Sequence, residues 1–133
     1  GYYSDAPDSQ RYPEPLGFFY PSLANFIAIV GNLDSRALVR QSIAAFRRVA
    51  KVPSEAVAAP SFTPDIDGSD HAAFWQQGIP AVMVTDTAPY RYRWFHTEQD
   101  TPDRLDYTRF TRVVTGLRGM LAEIGGELQS PLK

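Results

Sequence analysis

At 133 residues with 44% hydrophobic content, the chain is long enough for one hydrophobic core and too short for two ordinary domains. A formal charge of -2, with the arginines scattered among acids, supplies no basic field to hold a polyanion, so nucleic acid is not expected as a partner. The chain has no cysteine, which excludes disulfides and thiolate metal sites and leaves histidine and carboxylates as the only ligands for zinc.

The longest apolar runs are strand-sized, and the start, Gly1-Tyr2-Tyr3, carries neither the basic region nor the apolar segment of a signal peptide. No membrane partner is expected. The lack of an initiator methionine suggests a processed chain, an excised piece or a cleavage remnant. Residues 1–24 contain Pro7, Pro13, Pro15 and Pro21, which remove backbone donors and bias their neighbours against helix, so this segment reads as irregular and surface-hugging. Its aromatics, Tyr2, Tyr3, Tyr12, Phe18, Phe19 and Tyr20, either line a pocket or pin the segment to the core; packing is the commoner use.

Residues 25–133 alternate strand and helix signals. Phe26 to Val30 is a continuous apolar run closed by Gly31-Asn32, the pattern of a strand buried on both faces. Asp34 or Ser35 caps a helix that places Val39, Ile43, Phe46 and Ala50 on one face, with Arg36, Arg40, Arg47 and Arg48 largely off it. Val52-Pro53 ends that helix, Glu55 to Ala59 forms a short strand, and a turn-rich stretch follows to Gly68. Ser69 caps a short helix through Gln77 with Asp70 in its first turn; Gly78-Ile79-Pro80 then turns the chain into a strand, Ala81 to Val84. The last helix has Asp106 as N-cap, sets Phe110, Val113, Val114, Leu117, Leu121 and Ile124 on one face, and stops at Gly125-Gly126.

This alternation predicts an α/β domain, a mostly parallel sheet with helices on both faces; α+β is the second choice. With parallel strands and right-handed crossovers, the turns after Val30, Ala59 and Val84 all leave at the sheet's carboxyl edge, where open α/β sheets bind ligands. Gly31-Asn32, Ser69-Asp70-His71 and the His96 loop are therefore expected to meet there, with His96 near Asp70.

The stretch from Trp94 to Asp106 holds one of the two histidines, His96, four residues before Asp100. A neutral imidazole there can ligate a metal and a nearby carboxylate can orient it, yet composition alone favours an ordinary loop histidine. Asp70 reads equally as a first-turn helix acid or as a group that accepts a hydrogen bond from a metal-bound histidine or a substrate. His71, on the same helix, reads as structural.

Three motifs in series, Ser69-Asp70-His71, Gly78-Ile79-Pro80-Ala81 and His96-Thr97-x-x-Asp100-Thr101, follow Gly1-Tyr2-Tyr3-Ser4-Asp5 and Phe26 to Asn32. In this order they resemble the C-terminal half of the co-catalytic zinc aminopeptidases, a family that also includes glutaminyl cyclases and non-catalytic relatives such as the transferrin receptor ectodomain. The resemblance covers nearly the whole chain and implies a single partial peptidase-like domain over 1–133 with its N-terminal half absent. It implies that His96 is the last metal ligand of a two-zinc site, that Asp70 and Asp100 lie close to that site without ligating, and that the other ligands and the glutamate general base lie upstream. Phe95 stands where many relatives carry a tyrosine that helps to stabilise the oxyanion, and a phenylalanine cannot donate that bond. The function implied is removal of N-terminal residues from peptides by the complete enzyme, with the chain alone inactive. A non-catalytic interaction module and a glutaminyl cyclase are the alternatives. A secreted or periplasmic location follows from the resemblance alone, and self-association or pairing with an N-terminal half is expected.

Overall fold

The strand over the first apolar run is the centre of the molecule. In the computed structural model, which describes residues 1–126, β1 (Ile27–Asn32) is buried at all six positions, as an apolar run without alternation requires. Ile27 and Ile29 point into one core with Ala45, Phe46, Val113 and Met120. Phe26, Ala28 and Val30 form a second core on the opposite face with Ala59 and Ile66. Each large side chain fully buried in these cores, such as Phe26, Ile29 or Phe46, contributes about 1.5–3 kcal/mol of transfer free energy.

Helix α1 (Arg36–Val49) follows a turn in which the Asn32 Oδ1 accepts from the Ser35 backbone N–H at 2.9 Å. Val39 and Phe46 are buried and Ile43 and Ala50 half-buried, matching the expected face, while Arg36, Arg40, Arg47 and Arg48 are exposed. Strand β2 (Ser54–Ala59) returns parallel to β1, from Ile27 opposite Ser54 to Asn32 opposite Ala59. Helix α2 (His71–Gln76), strand β3 (Met83–Thr85) and the short helix α3 (Ala88–Arg91) follow. Helix α4 (Tyr107–Ile124) begins at Asp106, whose carboxylate accepts from the Arg109 N–H at 2.9 Å as an N-cap should, and ends at Gly125. None of the described helices is long and apolar enough to cross a membrane.

The sheet corrects the expected architecture. Its order is β2-β1-β3, and β3 runs antiparallel to β1, with Thr85 opposite Ala28 and Met83 opposite Val30. One strand pair is parallel and the other antiparallel, so the sheet is mixed rather than mostly parallel. The cause lies in the second crossover. Six helical residues of α2 rise about 9 Å, whereas the six-residue β2 spans about 20 Å. The chain therefore stays near the carboxyl edge, where Ala81 N–H donates to the Ser35 Oγ at 3.1 Å, and re-enters the sheet from that end. Nor do helices cover both faces in the expected way. Helices α1 and α4 share one face, while the other is covered by Tyr12, Ile66 and Trp75 from the N-terminal segment, a loop and α2.

Helix α4 keeps part of the expected face, with Val113 buried and Leu117 and Ile124 half-buried against the first core, but is turned toward its glycine side. Val113, Gly116 and Met120 are buried, while Phe110, Val114 and Leu121 are 41%, 50% and 64% exposed. Two glycines set that rotation by letting α4 approach α1. A Cβ on Gly116 would lie 2.5 Å from the Ala50 Cβ and 2.6 Å from the Phe46 Cε2, and one on Gly119 would lie 2.6 Å from a Val49 methyl.

The N-terminal segment is held by a buried cation. Arg91, at the end of α3, is 9% exposed. Its Nη1 donates to the Phe26 carbonyl at 2.8 Å and lies 3.4 Å from those of Tyr2 and Ala24; its Nε donates to the Gln10 Oε1 at 2.8 Å and the Thr87 Oγ1 at 3.0 Å. The guanidinium carbon also sits 4.6 Å over the Phe26 ring.

Gly116→Ala gains about 1 kcal/mol of helix propensity but forces two rigid contacts, and overpacking of that kind costs about 1–3 kcal/mol. A net loss of stability is expected, read as a lower denaturant midpoint with an unchanged slope; a stabilised variant would show that the helices do not pack this closely.

Candidate functional site

The second core is incompletely roofed. Above Ala28, Val57 and Met83 a groove of about 560 Å³ opens on that face of the sheet, within the size range of ligand pockets. Three walls enclose it: the N-terminal segment with Tyr12, Leu16 and Tyr20; the loop of residues 63–69; and the chain after β3, residues 85–90 with Phe95 and His96. Glu55, Asp65 and Asp86 line it, and among the described residues no lysine or arginine does. An apolar floor under carboxylates suits a ligand that pairs an apolar body with a cation.

Backbone strain concentrates at this groove. Four non-glycine residues adopt left-handed backbone conformations, Asp8, Asp65, Thr87 and His96, with φ between 55° and 60°. The last three all line the groove. Such conformations each cost of order 1–3 kcal/mol for most residues and persist at ligand clamps and active sites, where the surroundings over-determine them.

His96 sits exposed on a loop fastened by its own hydrogen bonds. The Phe95 N–H donates to the Tyr92 carbonyl at 3.1 Å, the Thr97 N–H and hydroxyl both donate to the Trp94 carbonyl at 3.0 and 2.8 Å, and the Asp100 N–H donates to the Thr97 carbonyl at 3.1 Å. Trp94 lies between two guanidinium groups, Arg93 at 4.1 Å and Arg104 at 4.7 Å from the ring centre. The His96 imidazole packs edge-on against Phe95, with 4.0 Å between ring centres.

The residues singled out from sequence separate here. His96 and Phe95 line the groove, and so does Ser69. Asp70 is exposed at the N-cap of α2, makes no side-chain capping bond and is not on the lining. Asp100 accepts from the Tyr92 hydroxyl at 3.0 Å, so its carboxylate fastens the loop. Asn32 holds the turn before α1 through the Ser35 N–H, and Gly31 is pressed against Val39, where a Cβ would come within 2.6 Å of a methyl. Because β3 is antiparallel, the His96 loop leaves the sheet by the edge at which β1 begins, so the three turns do not share one edge. The groove over the sheet face is what joins the 63–69 loop to His96. His71 is buried, with Nε2 2.6 Å from the Ile66 carbonyl and its ring edge-on to Trp75. That carbonyl requires Nε2 to carry the proton.

Sequence reasoning missed Asp65, Tyr90, Asp86 and Glu55 at the groove and Arg91 behind it. Pro64-Asp65 carried a turn signal only, and the run Tyr90-Arg91-Tyr92-Arg93 alternates without indicating which arginine turns inward. Tyr90 donates its hydroxyl to the Asp65 carboxylate, linking the wall after β3 to the 63–69 loop. Burial, then that hydrogen bond, pushes the Tyr90 hydroxyl up to about 12. Burial likewise pushes Tyr12 up to about 12. Among the described residues, no three histidine, aspartate or glutamate side chains come together where they could hold a metal ion.

Residues 19–120, well over half of the chain, match peptidase family M28. Over 122 residues the chain is 43% identical to the uncharacterized protein YfbL of Escherichia coli (strain K12), covering 91% of this chain and 38% of that protein. The chain thus spans well under half the length of the curated relative it matches. No solved structure gives a significant match. The chain belongs to peptidase family M28.

The raised tyrosines set an alkaline limit. A group whose folded value lies above its ordinary one of 10.0 contributes stability that is complete below pH 10 and is lost as pH rises through the folded value of about 12. Stability measured by chemical denaturation is expected to fall from about pH 10 toward 12, together with the rise in tyrosinate absorbance. Tyr90→Phe is expected to make that fall shallower; an unchanged fall would remove Tyr90 from the account.

Proposed function

We propose, from the chain's place in peptidase family M28, that it is the C-terminal portion of a zinc-dependent aminopeptidase, and that its groove holds the apolar side chain of a peptide's N-terminal residue. The observation that carries this reading is the clustering of strain: three of four left-handed non-glycine residues, His96 among them, line one acid-lined apolar groove. A free amino terminus is a cation beside a side chain, a combination that suits an apolar floor lined by Glu55 and Asp65, while Asp86 on the same lining is already paired with the Gly1 ammonium at 3.4 Å and accepts from the Tyr2 N–H at 2.9 Å. The fastened loop keeps His96 at the rim and Phe95 against it, so the side chains there need little reordering when a peptide arrives.

The metal is a separate matter. A catalytic zinc takes three protein ligands, and the described residues do not bring three together. They do not fit a zinc centre by themselves. In this reading His96 is one ligand of a centre that other polypeptide completes, and the isolated chain neither holds zinc tightly nor hydrolyses peptides. Two features favour a covering polypeptide. The outer edges of β2 and β3 have no strand beside them among the described residues, and α4 exposes Phe110, Val114 and Leu121. Free edges next to exposed apolar side chains favour pairing with another chain.

Metal analysis of the dialysed chain is expected to give far less than one zinc per chain, with no hydrolysis of aminoacyl anilides. A longer polypeptide that includes the residues encoded upstream of Gly1 is expected to hydrolyse them, and His96→Ala in it to lower the rate by at least about a hundredfold. Robust activity of the 133-residue chain, abolished by His96→Ala, would overturn this account of missing parts. An inactive longer polypeptide would favour a non-catalytic interaction module on the same fold.

Light scattering over a range of concentrations is expected to show the chain self-associating. A monomer throughout, binding no apolar dye, would show that the short chain closes its own surface.

A further inference from the structure

We infer that Tyr90 and Asp65 form a latch across the mouth of the groove, and that rotation of the Tyr90 ring decides how readily an apolar group enters. This rests on the reading of the groove as the place that holds an apolar side chain. Both residues line the groove from separate walls, and the bond between them is solvent-exposed, which puts it at the rim rather than the floor.

The backbones on both sides are fixed. Tyr90 lies in α3, where its N–H donates to the Thr87 carbonyl at 2.8 Å and its own carbonyl accepts from the Arg11 N–H at 2.9 Å. The Tyr90 main chain thereby ties the N-terminal wall to the α3 wall, and its hydroxyl reaches the third. Asp65 sits in a turn anchored by Ile66, which is 4% exposed and whose carbonyl holds His71 Nε2. The aspartate's left-handed φ of 60° is a conformation aspartate tolerates better than most residues. With both main chains held, the bond can open only by rotation of side chains, and the phenol ring is the larger moving part. A mere tie between walls would need no hydroxyl at the rim; backbone bonds such as the one from Arg11 already join two of them.

The donor stays protonated through the neutral range, since burial and the aspartate hold the Tyr90 hydroxyl near 12. The latch is thus closed by default, and an incoming group displaces one hydrogen bond. Losing that bond permanently should raise the open population by about three- to tenfold, the equilibrium equivalent of a single net hydrogen bond.

Stopped-flow fluorescence with naphthylmethylamine, an apolar cation, tests this on the 133-residue chain. Binding is located by NMR shifts of the Val57 and Met83 methyls on the groove floor. Four variants divide the outcomes. Tyr90→Phe removes the donor and keeps every charge. Asp65→Ala and Asp65→Asn remove the same charge, but only asparagine keeps an acceptor. The expected result is an association rate about three- to tenfold above wild type for Tyr90→Phe, and a similar excess of Asp65→Ala over Asp65→Asn. The fourth variant, Tyr107→Phe, removes a phenol hydroxyl from α4, outside the groove lining, and is expected to bind at the wild-type rate. Equal rates for Asp65→Ala and Asp65→Asn, or a wild-type rate for Tyr90→Phe, would overturn the latch while leaving the groove reading standing. No shift of the Val57 and Met83 methyls in any of these proteins would overturn the groove reading and the latch with it.

Discussion

The constraint on which the fold depends is the burial of one guanidinium. Arginine stays charged under all ordinary conditions, and a buried charge costs several kcal/mol unless its donors are satisfied. At Arg91 the acceptors of Nε and Nη1 are main-chain carbonyls and neutral side chains: the carbonyl of Phe26 beside β1, those of Tyr2 and Ala24 near the two ends of the N-terminal segment, and the side chains of Gln10 and Thr87; the buried Nη2 has no acceptor among the described residues, so the cation is only partly satisfied. Burial lowers the Arg91 value and the field of Asp86 works against that loss. The N-terminal segment cannot leave without stripping the cation of these acceptors, so a proline-rich stretch with little regular structure is held as firmly as a helix would be. That segment is one wall of the groove. The groove exists because the arginine is inside.

The other two walls are shaped by backbone conformations that most residues avoid. Thr87 turns the chain into α3 at φ 55°, and Asp65 and His96 turn their loops at 60° and 57°. None of the three is glycine, so none of these turns is free of strain, and each is over-determined by contacts around it: Thr87 by Arg91, Asp65 by Tyr90, and His96 by the bonds among Tyr92, Trp94, Thr97 and Asp100. Strain and its support therefore share the same residues. Arg91 and Tyr90 are adjacent, one facing inward to the N-terminal segment and the other outward to the 63–69 loop, so a single turn of helix α3 couples the wall that cannot move to the bond that can.

What could be read from the sequence was what local patterns dictate. A run without polar alternation marked β1 as buried on both faces, the spacing of Val39, Ile43 and Phe46 marked the inner face of α1, and Asp106 marked the start of α4. The sense of β3 was not legible, because it depends on how far the second crossover carries the chain, and a helix of six residues looks the same on paper as the start of a longer one. The rotation of α4 was misread for a related reason. Hydrophobic spacing put Val113, Leu117 and Ile124 on the core face correctly and Val114 and Leu121 wrongly, because Gly116 and Gly119 permit an approach so close that the glycine side turns inward and those two side chains are left out. At the site, His96 and Phe95 were found through motifs and do line the groove. Asp65, Tyr90 and Arg91 carried no such signal, because their roles come from partners 25 to 89 positions away.

The His96 loop completes the picture of a structure that is ordered on one side and open on the other. Most of its hydrogen bonds, and the packing of Arg93 and Arg104 on the Trp94 ring, lie within residues 92–104, while Tyr92 anchors the loop outward through its N–H to the Ala88 carbonyl and its ring against Tyr2. The main chain around His96 is therefore held by the loop's own bonds. The sheet is arranged in the same way. Its central strand is paired along its whole length by β2 and over Ala28 to Val30 by β3, so the outer strands carry free edges, and one carbonyl of β2 is already taken by the Tyr20 hydroxyl at 3.0 Å. A polypeptide that adds to this fold would meet an ordered loop and a second core still open at the groove. It would contribute new groups around a groove whose walls are already tied to one another through Arg91 and Tyr90.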